Sequence, residues 1–141
     1  ENSNILDLFS GIGSFGLECL SRKASYVSFI ENYKEVLPVL KKNILNLNYQ
    51  NSSYVIEKNI FNQLDFKTFK NKFDIIFIDP PYKEKKLALL LDKIILSDIM
   101  KNEGIMIIHR HKKEEDKFPE KFKIIEEKIY GLAKIIFGRY V

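Results

Sequence analysis

The stretch Asn4-Ile5-Leu6-Asp7-Leu8-Phe9-Ser10-Gly11-Ile12-Gly13-Ser14-Phe15-Gly16 passes from an apolar run, through glycines spaced G-x-G-x-x-G, into a helical pattern. A run of this kind suits a strand covered on both faces, and glycine relieves the tight turn that follows. The order therefore predicts a strand over 4–9, a turn, and a helix over about 14–22. Taken alone, three glycines at this spacing favour a plain strand-to-helix turn over a dinucleotide loop.

The same alternation continues outward. Strands are predicted over 26–30, 53–57, 73–78 and 104–109. Asn32 with Glu35 three residues later reads as a capping box for a helix whose apolar face is Leu37, Leu40, Ile44 and Leu47. Pro38 then implies a kink, or a helix that starts properly only at Pro38. A short helix or turn is predicted over 61–69. Leu87, Leu90, Leu91, Ile94 and Ile95 mark a further helix by their single stripe. Two last strands, 123–130 and 133–140, flank Gly131 and predict an antiparallel hairpin. The charged run 112–117 reads as a loop or a short exposed helix. Strand–helix alternation implies right-handed crossovers, and so an α/β fold with a mostly parallel sheet, helices on both faces and the antiparallel hairpin at one edge. One domain over 1–141 accounts for the length. Ligands in such sheets bind beyond the carboxyl ends of the strands.

Composition narrows the class. The 141 residues are 45% hydrophobic and 13% aromatic, enough for a packed core. No apolar run approaches the roughly 20 residues of a membrane-spanning helix. Cys19 is the single cysteine, which excludes an intrachain disulfide and fits a reducing cytoplasm. His109 and His111 stand two apart without a second ligand pair, so no metal is expected. The net charge of +4 favours a polyanionic partner, although most of the basic residues are lysines of the kind that solvate a surface. The chain opens at Glu1, not at methionine, and a strand follows almost at once, so upstream sequence is expected.

Two carboxylates give the glycine turn its chemistry. Asp7 lies four residues before Gly11, and Glu31 ends the second strand. A terminal acid on that strand suits ribose hydroxyls in either cofactor class. Asp7 discriminates: an acid beside the turn repels a pyrophosphate but stabilises the ammonium and sulfonium of S-adenosyl-L-methionine. A turn cap is the plainer role for Asp7. Asn59, after the third strand, offers an amide for an adenine edge with Ile60 against its face, or simply caps the next helix.

The tetrapeptide Asp79-Pro80-Pro81-Tyr82 leaves the strand over 73–78. Carbonyl and carboxylate acceptors at Asp79 and Pro80 can take the two N–H bonds of an exocyclic aromatic amine. That aligns its otherwise delocalised lone pair for attack on a methyl donor. The prolines fix the backbone, and Tyr82 offers a stacking face worth roughly 1–3 kcal/mol per base. Lys83, Lys85, Lys86, Arg110, Lys112 and Lys113 would meet phosphates, or else merely solvate the surface.

The stretch Asp7-Leu8-Phe9-Ser10-Gly11-Ile12-Gly13-Ser14-Phe15-Gly16-Leu17-Glu18, together with Asp79-Pro80-Pro81-Tyr82, resembles the class I S-adenosylmethionine-dependent methyltransferases. More narrowly, the chain is similar to the bacterial 16S ribosomal-RNA guanine-N2 methyltransferases of the RsmD type over nearly its whole length. The resemblance implies a Rossmann-like three-layer sandwich. It implies S-adenosyl-L-methionine as donor and S-adenosyl-L-homocysteine as product. Asp7 and the Gly11 and Gly13 turn would hold the methionine part, Glu31 the ribose, and Asn59 with Ile60 the adenine; Phe9, Ser10 and Asn32 count among the same cofactor-binding residues. Asp79, Pro80, Pro81 and Tyr82 would hold the target guanine. The partner implied is 16S rRNA or a small-subunit assembly intermediate, met by a cytoplasmic monomer. The family carries a segment before the glycine-rich motif that helps close the cofactor site and grip RNA, and that segment is expected to be missing from these residues. The same motifs also fit an adenine-N6 or protein-amide methyltransferase. The glycines keep an NAD-dependent oxidoreductase in view, and a non-catalytic RNA-binding module ranks last because every polar residue the chemistry needs is present.

Overall fold

The computed structural model describes residues 1–82 and 84–141. They form two compact units, Glu1–Leu64 and Asp65–Val141.

In the first unit, β1 (Asn4–Leu8), β2 (Tyr26–Ile30) and β3 (Ser53–Ile56) run parallel in the order β3-β2-β1, with α1 (Ser14–Ser21) and α2 (Leu37–Asn46) as crossovers. The register sets Leu8 level with Ile30 and Ile30 level with Ile56, so all three strands end at one line and release their next residues there. Ile5, Leu6, Leu8, Val27, Phe29 and Ile30 are buried, as expected of strands covered on both faces. Each large side chain removed from water contributes about 1.5–3 kcal/mol before entropy is counted.

Several local expectations are corrected here. The first strand stops at Leu8, because Phe9 turns out of it at φ 61. Asn32 and Glu35 do not form a capping box. Helix α2 begins at Leu37 after Val36, with no side-chain cap and with Pro38 in its first turn, where the missing amide costs nothing. Of the two amides the box would have served, that of Asn32 is taken by Glu31, whose Oε2 accepts from Asn32 N at 3.0 Å and also from Tyr33 N at 2.9 Å, while Tyr33 Oη donates to Glu35. Leu37, Leu40 and Ile44 are buried, but Leu47 caps the helix end and lies 53% exposed.

The second unit opens with a 3₁₀ turn, Phe66–Thr68, capped by Asp65. Then come β4 (Phe73–Ile78), α3 (Leu87–Ser97), β5 (Met100–His111), β6 (Phe122–Tyr130) and β7 (Ala133–Tyr140), with strand order β4-β5-β7-β6. β4 and β5 are parallel; β5/β7 and β7/β6 are antiparallel. The architecture is thus α/β, mostly parallel, with the expected C-terminal hairpin. Gly131 takes φ 57 at the first central position of its two-residue turn, as a type II′ hairpin turn requires.

Strand β5 is longer than the predicted 104–109, because Met100 pairs with Phe73 across a bulge before the regular ladder starts at Ile105. The polar Lys101, Asn102 and Glu103 hide that extension in the sequence. Residues 112–117 form a loop, not a helix. Leu87, Leu90, Leu91 and Ile94 are buried, as their stripe predicts. Among the described residues no helix is long and apolar enough to cross a membrane.

Candidate active site

The carboxyl ends of β1 and β2 build a tightly bonded turn. Asp7 is 1% exposed, and its Oδ2 accepts from Gly16 N at 3.2 Å, tying the strand end to the first turn of α1. Ser10 Oγ donates to Asp7 O at 2.6 Å and accepts from Ile30 N at 3.0 Å, stitching β1 to β2. Gly13 N donates to Ser10 O at 2.9 Å, and Gly11 N donates to Glu31 Oε1 at 2.8 Å. Asn43 of α2 donates from Nδ2 to Ile12 O at 2.9 Å.

Two glycines are dictated by this geometry. Gly13 sits at φ 92 with Leu40 Cδ1 2.6 Å from where a Cβ would lie. A Cβ on Gly16 would run into the ring of Phe29, so only glycine lets α1 lie this close to β2.

Asp7, Ser10, Gly11, Gly13, Glu31 and Asn32 are therefore one bonded group at the strand ends, with Phe9 in the turn between Asp7 and Ser10. Asn59 and Ile60 reach it through Phe61, whose ring packs on Phe9 with centroids 5.9 Å apart. Asn59 Oδ1 accepts from Phe61 N and Asn62 N, so its side chain shapes a turn, and Ile60 is buried. Cys19, on α1, is partly buried; burial first and then the charge of Asp7 push its thiol up to about 11.

All three glycine amides thus already donate to oxygens of the chain, two of them carboxylate oxygens. A pyrophosphate needs such amides free and meets two acids instead. A cation-bearing ligand suits the same turn, because Gly11 has open space where a side chain would project and the adjoining acids favour positive charge. The residues fit S-adenosyl-L-methionine and do not fit a dinucleotide.

The second constellation lies in the second unit. Beyond Ile78 come Asp79, half-exposed, then Pro80, buried, and Pro81 and Tyr82, exposed. Asp79, Pro80 and Tyr82 line a cavity of about 270 Å³ with His109, Arg110, His111, Leu132 and Ala133. His109 Nδ1 lies 2.9 Å from Asp79 Oδ1, and the rings of His111 and Tyr82 meet edge-on at 5.2 Å between centroids.

Arg110 takes the other face of β5. Its side chain is 1% exposed; Nε and Nη2 donate to Asp116, Nη2 also to Glu84 O at 2.9 Å, and Nη1 to Pro81 O at 3.5 Å. The expectation that Arg110 meets phosphates is therefore wrong: its guanidinium is buried and spent on holding the loop after the shelf. Lys85, Lys86, Lys112 and Lys113 are exposed, and Lys83 lies outside the described residues.

Sequence reading missed His109, His111, Leu132 and Ala133 as lining residues. For the histidines a signal existed. Two residues apart on a strand, they share one face at its carboxyl end. Leu132 and Ala133 arrive by the hairpin turn, and nothing local in the sequence announces that.

Comparison with known proteins agrees with this geometry. The family model described as "Conserved hypothetical protein 95" matches residues 1–139, spanning both units. The chain belongs to this family, that of the RsmD-type methyltransferases. Within it, the chain is 33% identical over 129 residues to the ribosomal RNA small subunit methyltransferase D of Buchnera aphidicola from Acyrthosiphon pisum, covering 92% of this chain and 66% of that protein. The protein of the same name from Haemophilus influenzae is 32% identical over 138 residues, covering 94% and 69%. The chain thus spans about two-thirds of the length of these relatives. Among solved structures, a candidate methylase of Haemophilus influenzae superposes with TM-score 0.84 at 28% identity, covering 99% of this chain and 88% of that one. A ribosomal protein L11 methylase of Lactobacillus delbrueckii subsp. bulgaricus shares the fold, with TM-score 0.75 at 17% identity over 99% and 71%. The RsmD-family chain accordingly has the class I methyltransferase fold.

Proposed function

We propose that this chain transfers a methyl group from S-adenosyl-L-methionine to the exocyclic N2 amine of a guanine in 16S rRNA. The observation that carries the reading is the half-exposed Asp79 carboxylate on a proline-fixed shelf, lining a cavity with an aromatic ring at its other end. The names of the small-subunit methyltransferase D relatives support the ribosomal substrate.

Asp7 would answer the positive charge of the donor, Glu31 its ribose hydroxyls, and the turn of Phe9, Ser10, Gly11, Gly13 and Asn32 its methionine part; Asn59 and Ile60 would flank the adenine. Glu31 already accepts three amides, so ribose hydroxyls compete for its remaining lone pair or replace one of those bonds. When bound, the donor supplies an electrophilic methyl carbon: the carbon–nitrogen bond forms as the carbon–sulfur bond breaks, and that electron pair stays on sulfur as a neutral thioether.

The rest falls to the second constellation. Asp79 and the Pro80 carbonyl accept the amine's N–H groups, holding the nitrogen lone pair in line and stabilising the charge that grows on it. One N–H proton, acidified as the new bond forms, passes to Asp79 and on to water. Tyr82 stacks on the base. With its glycine amides already bonded and two acids beside them, the turn gives the oxidoreductase alternative no support. With this reading go a cytoplasmic location, a monomeric state, and RNA or a small-subunit assembly intermediate as partner.

The test is methylation of 16S rRNA with labelled donor and mapping of the product base. N2-methylguanine, lost in Asp79→Ala while S-adenosylhomocysteine still binds, is the expected result. N6-methyladenine would move the assignment to the other base, and calorimetric binding of NAD would overturn the cofactor.

A further inference from the structure

The shelf is braced from one face of β5. His109 and His111 project from that face at the carboxyl end of β5. The first touches the leading residue of the shelf, Asp79, and the second its last, Tyr82. An ionised carboxylate only accepts, so the hydrogen in the 2.9 Å contact with Asp79 Oδ1 belongs to His109 Nδ1. In the neutral ring this is the Nδ1–H tautomer, with the lone pair on Nε2. His111 has the opposite tautomer, because its Nδ1 accepts from Lys113 N at 3.1 Å.

The His109–Asp79 pair is not there for stability. The side chains are 38% and 44% exposed, a setting in which such pairs contribute little. What the bond does is geometric. The terminal torsion of an aspartate is broad and roughly two-fold, so an untethered carboxylate spreads its lone pairs over a wide arc. Holding Oδ1 fixes the plane of the group and commits Oδ2 to the incoming amine. The backbone of the shelf is rigid through its prolines, and His109 extends that rigidity to the side chain that meets the substrate.

Resting on the guanine-N2 reading, we propose that His109 is a positioning residue for methyl transfer: its Nδ1–H locks the Asp79 carboxylate so that the free oxygen receives the amine. His109 acts through Asp79 and need not touch the base. Asparagine places its amide nitrogen near where histidine places Nδ1, so it keeps the donor while discarding the ring. Alanine discards both.

The experiment has two arms on the full-length protein. In the first, steady-state methylation of 16S rRNA and calorimetry with S-adenosylhomocysteine are compared for wild type, His109→Ala and His109→Asn. Misplacement of a reacting group costs about 10²-fold; His109→Ala is expected to lose kcat on that order, with KM for RNA and affinity for S-adenosylhomocysteine within about twofold, and His109→Asn to recover most of the loss. A His109→Ala enzyme with wild-type kcat, or Asn and Ala variants equally impaired, overturns the proposal. In the second arm, 15N chemical shifts of the His109 ring are read without substrate. Protonated Nδ1 with bare Nε2, lost in Asp79→Ala, is expected; the Nε2–H tautomer in wild type overturns the proposal. The arms separate the two readings. Correct tautomer without N2-methylguanine defeats the functional reading and leaves the brace standing. N2-methylguanine made at the wild-type rate by His109→Ala defeats the brace alone.

Discussion

Arg110 and Asp116 form a two-pronged ion pair, Nε to Oδ2 at 2.9 Å and Nη2 to Oδ1 at 3.1 Å, with side chains 1% and 9% exposed. The pair links the end of β5 to the loop that follows it, and the same guanidinium reaches the carbonyls of Pro81 and Glu84. Removing one partner of a buried pair strands the other charge. Arg110→Met is therefore expected to lower unfolding free energy by about 3–5 kcal/mol. Arg110→Met with Asp116→Leu should recover a large part of that, since the more buried of the two carboxylates beside the guanidinium is gone and Glu114, 3.7 Å from Nη2, is 15% exposed. Urea unfolding of wild type, both single variants and the double variant closes the cycle; a double variant no better than Arg110→Met would mean that the carbonyl contacts, not the pair, dominate.

Gly16→Ala tests the packing under the donor turn. The added methyl meets the Phe29 ring, and the backbone of α1 leaves it no alternative direction. Overpacking of this sort costs about 1–3 kcal/mol. A drop in the urea midpoint at constant slope is expected. The shift of α1 should also loosen the Gly16 N–Asp7 Oδ2 bond, so affinity for S-adenosylhomocysteine falls in the same variant.

Cys19 gives a pH-dependent readout. Burial first, then the charges of Asp7 and Glu18, push its thiol from 9.0 to about 11. A folded pKa above the unfolded one means that the neutral thiol's contribution to stability is complete below pH 9 and is lost as pH rises toward 11. The thiolate is the reactive form. At pH 8.5 alkylation by iodoacetamide should thus run about 10²-fold slower in the folded chain than in urea. Equal rates would show that the thiol is neither buried nor influenced by Asp7.

Asp7→Asn separates charge from shape at the donor turn. The amide oxygen can still accept from Gly16 N, so the melting temperature should hold within a few degrees. The attraction to the donor's ammonium is lost. Affinity for S-adenosylhomocysteine should fall about 10- to 100-fold, or roughly 1.4–2.8 kcal/mol, by calorimetry. Unchanged affinity would place the ligand away from Asp7.

The parts of the molecule legible in the sequence are those fixed by neighbours along the chain. The glycine turn, the strand before it and the helix after it follow from residues within a dozen positions of one another. The shelf announces itself because its carboxylate and prolines are contiguous. What escaped was set by partners from elsewhere. Asn32 and Glu35 have the spacing of a capping box, but Glu31, bonded to Gly11 N across 20 residues, takes the Asn32 amide. His109 touches Asp79 across 30 residues, a meeting produced by the parallel pairing of β4 and β5. Arg110 carried a charge that suggested phosphate. Yet it continues the buried face of Gly104, Met106 and Ile108, and that period of two was the available sign that it points inward.

That distinction yields a last prediction about RNA. Lys112 and Lys113 are exposed in the loop after β5, next to the residues that line the shelf cavity, whereas Arg110 is enclosed. A cation that contacts phosphate releases a counterion, so each such contact adds to the slope of log affinity against log salt. Lys112→Gln and Lys113→Gln should each weaken binding of a 16S rRNA fragment and flatten that slope by about 0.7–1. They should do so alike for cognate and scrambled sequences, because phosphates carry no sequence information. Any weakening by Arg110→Met should instead leave the slope unchanged, since it acts by disordering the shelf and not by losing a phosphate contact. Filter binding across a salt series distinguishes the two. A slope that falls for Arg110→Met and holds for both lysine variants would reverse the assignment and return the guanidinium to the RNA.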